Sequence, residues 1–260
     1  MMMTAGLSYD LCSEPIQRVK SESNGEAGTV EIVNAIAEMP LIAEPGTRFS
    51  YGLGHDVIGA VIEVVSGKRF SEYMKKNIFD PLEVFDLAYQ VTDEARTRLS
   101  AQYECDMETG NIQPKPDMGF RLTKRFESGG AGLVGSVDSY SLIIDALAND
   151  GIGHTGARIL KKESIQLMSR NWLSVTQLAD FEKSGKIGYG YGLGVRTLID
   201  PTKSKSPLGE FGWDGAAGAY ALVDPIHQVS IFYVQEILGM LKVYSEIHPT
   251  IRDLAYEVLL

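Results

Sequence analysis

Three stretches of this 260-residue chain carry residue types that could do chemistry. The first, Pro45-Gly46-Thr47-Arg48-Phe49-Ser50-Tyr51-Gly52-Leu53-Gly54, puts a tyrosine on a turn leading straight into an apolar helical pattern. Such a tyrosine serves as a general base if a nearby cation stabilises its phenolate; otherwise it packs its ring and hydrogen-bonds its hydroxyl. The second, Gly130-Ala131-Gly132-Leu133-Val134-Gly135, spells GxGxxG ahead of a helix. A dinucleotide site also needs a preceding strand and a βαβ context. Residues 121–127 are charged and poorly patterned and the later strands pair as a hairpin. A glycine turn that lets one segment pass under another is therefore the favoured reading. The third, Gly212-Trp213-Asp214-Gly215-Ala216-Ala217-Gly218, leaves backbone N–H groups accessible, as an oxyanion hole requires, and equally suits a glycine-rich strand start.

Other chemistries find little support. His55, His154, His227 and His248 form no HxxxH or HExxH pair, which argues against a metal enzyme. Cys12 and Cys105 lack CxxC spacing and fit a reduced compartment, so the expected location is cytoplasmic. With 24 Lys and Arg against 34 Asp and Glu, the net charge of −10 repels phosphate backbones, and no nucleic-acid partner is expected. No apolar run approaches the roughly 20 residues of a membrane span, and no positively charged leader is present as written.

The elements that must position these segments read as follows. A helix is predicted from about His55 to Ser66, with Val57, Ile58, Val61, Ile62 and Val65 as its apolar stripe and Gly67 closing it. Ser71 is a candidate N-cap for a second helix to Ile78, stopped by Asp80-Pro81. Residues 101–126 read as a long surface excursion. Ser136 or Asp138 caps a helix carrying Tyr140, Ile143, Ile144 and Leu147, and a short helix follows over 162–170. Tyr189, Tyr191 and Leu193 alternate with glycines as a strand. Residues 217–223 and 228–234 flank Asp224-Pro225-Ile226-His227 as an antiparallel hairpin. A helix over 249–260 closes the chain with Ile251, Leu254, Ala255 and Leu259 inward. Helices, then antiparallel strands, then a terminal helix make an α+β fold.

Five segments recur in order and at family-like spacing nearly end to end: Met3-Thr4-Ala5-Gly6-Leu7; Pro45-Gly46 through Tyr51 with Gly59 to Gly67; Glu127 to Leu133; Tyr189 to Gly194; and Gly212 to Gly218. The series resembles the class C β-lactamase and penicillin-binding protein superfamily of serine hydrolases, and most of all its esterase branch, the family VIII carboxylesterases. There the segments correspond to H-T-S-G-L, to P-G-x-x-x-x-Y-S-N…G-x-x-I-E-x-x-S-G, to the G-G-G-G-L turn, and to the closing strands. By that resemblance Tyr51 matches the catalytic tyrosine, the Ala216 N–H matches the strand-borne oxyanion donor, and Trp213 is an acyl-pocket wall. Leu53, Trp213, Asp214 and Gly215 are then the substrate-side positions. Leu53 stands where lactamases carry an amide-binding asparagine, and Trp213 supplies no cation for a drug carboxylate. The esterase branch carries Tyr-Ser-Leu and Trp-Gly-Gly. Gly52 and Asp214 depart from those triplets, and Asp214 adds a negative charge. No metal or organic cofactor is implied; the implied partner is a small-molecule ester or lactam-like substrate.

The family's reaction starts at a helical Ser-x-x-Lys, whose spacing puts serine and amine on one face. No lysine of this chain has a serine three residues before it. Thr202-Lys203-Ser204-Lys205 comes nearest and reads as an exposed, Pro-flanked turn. The resemblance places Ser-x-x-Lys upstream of Met3–Leu7. The expectation is therefore a single β-lactamase-like domain lacking its N-terminal segment, with helices over about 55–170 and sheet plus C-terminal helix over about 187–260. Ester hydrolysis through an acyl-enzyme belongs to a full-length parent, with the chain itself inactive. A non-catalytic remnant and a β-lactamase or penicillin-binding activity are the alternatives. An exposed sheet edge is expected to favour self-association. The Tyr51 hydroxyl is expected in a cleft opposite Trp213 and Ala216, within about 12 Å, a helix diameter.

Overall fold

The computed structural model describes residues 1–116 and 121–259. Two helices precede the region expected to be helical, Glu14–Glu22 and Thr29–Ala37. Pro15 occupies the first turn of one, where its missing N–H costs nothing. In the other, the Glu31 carboxylate accepts the Gly28 N–H at 2.6 Å. Ile16, Ile32, Ala35 and Ile36 turn inward and pack with Leu53, Leu122 and Phe126. The Ile32–Ala35–Ile36 spacing is the ordinary one-face helical pattern, so this pair was readable from the sequence.

The next helix, Gly54–Ser66, ends at Gly67 in the left-handed region (φ 66°), as the sequence requires. Its buried face differs from the expected stripe. Asp56, Gly59 and Ala60 are buried, whereas Val61 and Val65 face outward. Small residues win because Gly59 lies against the backbone of Glu127 and Gly129 and the ring of Phe70. The following helix, Phe70–Met74, widens into a π-turn over Lys75–Phe79, and Ser71 does not cap it. The buried Glu127 carboxylate takes both the Ser71 N–H and the Ser71 hydroxyl (2.7 and 2.9 Å). Part of the expected surface excursion is ordered as a hairpin, Tyr103–Cys105 against Ile112–Pro114, and Ile237–Leu238 joins it in parallel. Residues 117–120 of that stretch lie outside the described residues.

Helices Val137–Ala148, Lys162–Ser169 and Val175–Glu182 lead into the main sheet. The Ser136 hydroxyl caps the first by accepting the Ser139 N–H. The last was not anticipated, although Ser174 and Gln177 form a capping box at its start. The sheet is a five-stranded antiparallel meander, Tyr189–Tyr191, Arg196–Leu198, Phe211–Asp214, Tyr220–Asp224 and Val229–Tyr233, with neighbours in sequence order. Leu193 lies beyond the first strand, in a turn where Gly194 has φ 91°. Phe211 and Val223 pack toward Ile144 and Ile165, while Tyr220 and Leu222 pack on Tyr256 of the final helix, His248–Leu259. That helix buries His248, Arg252 and Tyr256, one residue per turn, and leaves Leu254 and Leu259 outside, reversing the expected face. Its inner residues are polar but partnered: Arg252 donates to the Tyr189 hydroxyl and Tyr256 to Asp224. Leu260 lies outside the described residues. Among the described residues, no helix is long and apolar enough to cross a membrane.

Candidate active site

Tyr51 is positioned by the first residues of the chain. The 42–53 segment is laced to them by Ile42 N–H to Gly6 carbonyl, Gly46 to Thr4, Ser50 to Met3, and Leu53 to Ser8, at 2.8–3.2 Å. This close pass explains Gly52: a Cβ there would be driven into the Leu7 carbonyl. On the far side, the Gly129–Gly132 turn lies against the start of the Gly54–Ser66 helix, with Gly129 tight on the His55 carbonyl. The Ser128 hydroxyl donates to Asp56 at 2.5 Å and accepts the N–H groups of Gly130 and Ala131. The GxGxxG segment is thus a turn pinned by a buried serine–aspartate pair.

The Tyr51 ring lies parallel to the Trp213 indole (centroids 5.2 Å, 1°) and is covered on its other side by Tyr9 (5.7 Å). Trp213 meets Tyr191 edge-on at 5.4 Å, and Tyr191 packs on Phe49 and Phe181. Tyr51 keeps 36% of its surface open. Burial of its hydroxyl end pushes its pKa up to about 12; Tyr9 and Asp56 add to the rise, and Trp213 opposes it by hydrogen bonding. No cation contributes, so Tyr51 is a neutral phenol at neutral pH. Burial also lowers the His55 imidazole, aided by the N-terminal amine, and raises the Asp56 carboxyl against its hydrogen bond from Ser128.

Two expected substrate-side positions point elsewhere. Leu53 is 2% exposed and sits in the core with Ile16 and Phe126, because the chain turns inward after Tyr51 to start its helix. Asp214 follows Trp213 on the strand and therefore emerges from the opposite face. There its carboxylate accepts from His248 Nδ1 at 2.9 Å and Arg196 Nε at 3.2 Å and pairs with Lys186. Burial pushes this carboxyl up, but Arg196, the His248 hydrogen bond and Lys186 outweigh it and hold the group well below the usual range. The expected added charge is thus neutralised inside the protein. Gly215 and Ala216 begin a tight turn in which Gly215 N–H bonds the Ala219 carbonyl (2.7 Å) and Gly218 N–H bonds the Gly215 carbonyl (3.0 Å). Ala216 is exposed, and among the described residues its N–H has no acceptor.

The sequence pattern missed Tyr9, Lys186, Arg196 and Tyr244 around this site. Tyr9 had a signal, lying two residues past the Met3–Leu7 segment. Arg196 reaches the site from a sheet strand, Lys186 from the loop before the sheet and Tyr244 from the π-turn Val243–Ile247, and no spacing in the chain announces them.

The structure stacks Tyr51 on Trp213, in the strand that leads into the turn carrying the Ala216 N–H. A family description, Beta-lactamase, matches residues 1–255. An uncharacterised protein of Mycobacterium tuberculosis is 26% identical over 242 residues, covering 89% of this chain and 59% of that protein. A lovastatin esterase of Penicillium rubens is 30% identical over 224 residues, covering 77% and 54%. The solved structure of EstCE1, a hydrolase with promiscuous acyltransferase activity, superposes with a TM-score of 0.77 at 24% identity, over 98% of this chain and 70% of that one. The chain thus spans less than three-fifths of these two curated relatives.

Proposed function

The chain belongs to the Beta-lactamase family, and from that premise we propose that its stacked Tyr51 and Trp213, with the turn that follows Trp213, are part of a serine-hydrolase site for small esters. The observation that supports this best is the parallel stack of Tyr51 on Trp213, next to the turn carrying the unpaired Ala216 N–H. Similar proteins named as an esterase and as a methylbutanoyltransferase, both of Penicillium, support acyl chemistry on esters. In this reading Trp213 walls the acyl group and the Ala216 N–H meets the developing oxyanion. Tyr51 is the base. With its pKa near 12 it needs a neighbouring cation. A Ser-x-x-Lys helix would bring that cation together with the nucleophile. The serine oxygen then adds to the ester carbonyl, its proton passes to the tyrosine–lysine pair and on to the leaving alcohol, and water releases the acid.

No position of this chain supplies Ser-x-x-Lys, so the full reaction is assigned to a longer protein and the chain alone is catalytically silent. The test is p-nitrophenyl butyrate. The chain as it stands is expected to release no more p-nitrophenol than its Tyr51→Phe variant, since positioning alone leaves only residual catalysis. A one-equivalent burst blocked by a serine-directed phosphonate overturns this. Joined to an upstream Ser-x-x-Lys helix, the protein is expected to turn the ester over and to leave cephalosporins nearly untouched. Trp213 offers no charge to a drug carboxylate, a loss of about 1.5–3 kcal/mol.

A further inference from the structure

The turn from Gly215 to Gly218 has two small residues at its tip and glycines at both ends, a composition that by itself favours mobility. It is nevertheless tied down by side chains from the C-terminal part of the chain. Tyr244 donates its hydroxyl to the carbonyls of Gly215 (2.9 Å) and Ala216 (2.8 Å). His248 bridges the two ends of the turn: its Nδ1 bonds the Asp214 carboxylate at 2.9 Å and its Nε2 bonds the Gly218 carbonyl at 3.0 Å. Lys186 joins the two ties, pairing with Asp214 while lying 5.7 Å from the centre of the Tyr244 ring. The Tyr244 and His248 rings meet edge-to-face at 5.5 Å, and Ile237 N–H holds the Ala217 carbonyl at 3.0 Å.

We propose that Tyr244 and Asp214 are positioning residues: they fasten the carbonyls of the turn from behind, so that the Ala216 N–H stays free and fixed. The inference rests on the function proposed above for that N–H. Physically, a peptide plane is rigid, so holding its carbonyl aims the N–H of the next residue. Tyr244 on the Gly215 carbonyl therefore orients the Ala216 N–H directly. Asp214 acts one step further away, through His248 on Gly218. Donors fixed before the reaction cost no reorganisation when charge develops, and this is the advantage such fastening confers.

Two variants of the chain as it stands test this, read by amide hydrogen exchange and by NMR titration with sodium butyrate, whose carboxylate mimics the product. Tyr244→Phe removes one hydroxyl from a half-buried ring and is expected to leave the melting temperature nearly unchanged. Exchange at the Gly215 and Gly218 amides is expected to rise about fivefold, the worth of one hydrogen bond, while the amides of Tyr220–Asp224 keep their rates. Asp214→Asn is expected to raise Gly218 exchange more than Gly215 exchange. In the unaltered chain, butyrate is expected to shift the Ala216 amide proton, and Tyr244→Phe to weaken that response several-fold. Unchanged exchange at both glycines in Tyr244→Phe overturns the fastening. If exchange rises as expected but the Ala216 amide ignores butyrate in the unaltered chain, the fastening stands and the oxyanion role of the turn falls.

Discussion

Arg196→Met tests the electrostatics behind the site most severely. Arg196 is 2% exposed. It donates to both oxygens of the buried Glu210 (3.3 and 3.2 Å) and to Asp214 (3.2 Å), and lies 5.0 and 5.2 Å from the rings of Tyr189 and Tyr220. Methionine fills similar space but leaves Glu210 without its cation and removes one of the two cations paired with Asp214, Lys186 being the other. Breaking a buried pair from one side costs about 3–5 kcal/mol. At this chain length that lowers the melting temperature by about 6–20 °C. Urea unfolding is the assay, with the slope required to stay constant so that the midpoint shift reports stability. Glu210→Gln added to Arg196→Met is expected to recover part of the loss, because the orphaned carboxylate is then gone. The pH dependence has a definite sign. The Asp214 carboxyl is depressed in the folded protein, so the stability it contributes is present above the unfolded value of about 3.9 and falls away as the pH drops below it. An Arg196→Met loss under about 1 kcal/mol, with no recovery in the double variant, refutes a charge network of this kind.

Three further outcomes are expected. Gly52→Ala drives a methyl group into the Leu7 carbonyl and is expected to cost about 1–3 kcal/mol; a melting temperature within about 1 °C of the parent chain contradicts the close pass. The ultraviolet difference between the chain and its Tyr51→Phe variant is expected to show a phenol ionising near pH 12, above the usual 10.0, so the tyrosine's contribution to stability is whole below pH 10 and declines as pH rises toward 12; a transition at or below pH 10 removes the burial argument. Strand Val229–Tyr233 is the last of its sheet and carries no charge or proline. Concentration-dependent association by size-exclusion chromatography is expected through that edge and is suppressed by Val229→Lys; equal association in the variant excludes it.

The order of the fold was legible where the signal is local. Gly67 ends its helix, Ser136 starts another, and Asp224-Pro225 turns a hairpin, each through the conformation or hydrogen bond its residue type favours. What misled was the assumption that apolar faces point inward. On the Gly54–Ser66 helix the valines face out because glycine and alanine permit a closer approach, and on the last helix histidine, arginine and tyrosine face in because each finds a partner. The same limit applies to the site. Tyr51 and Trp213 were legible through ordered segments, and the structure stacks their rings. The inward turn of Leu53 depends on where the chain starts its helix, and the neutralisation of Asp214 on which strand face it takes and on cations far away in sequence; a triplet of residues encodes none of these.

The in-order meander has a kinetic side. Each strand of the main sheet pairs with the one made just before it, so the loops to be closed are short and the sheet can form early. Tyr51 reaches Trp213 across most of the chain, a closure that only finished structure on both sides rewards. The stack is therefore expected to form after the sheet. The indole of Trp213, edge-on to Tyr191 and face-to-face with Tyr51, is then an internal clock: in stopped-flow refolding its fluorescence is expected to change once when the sheet condenses and again when the tyrosine arrives.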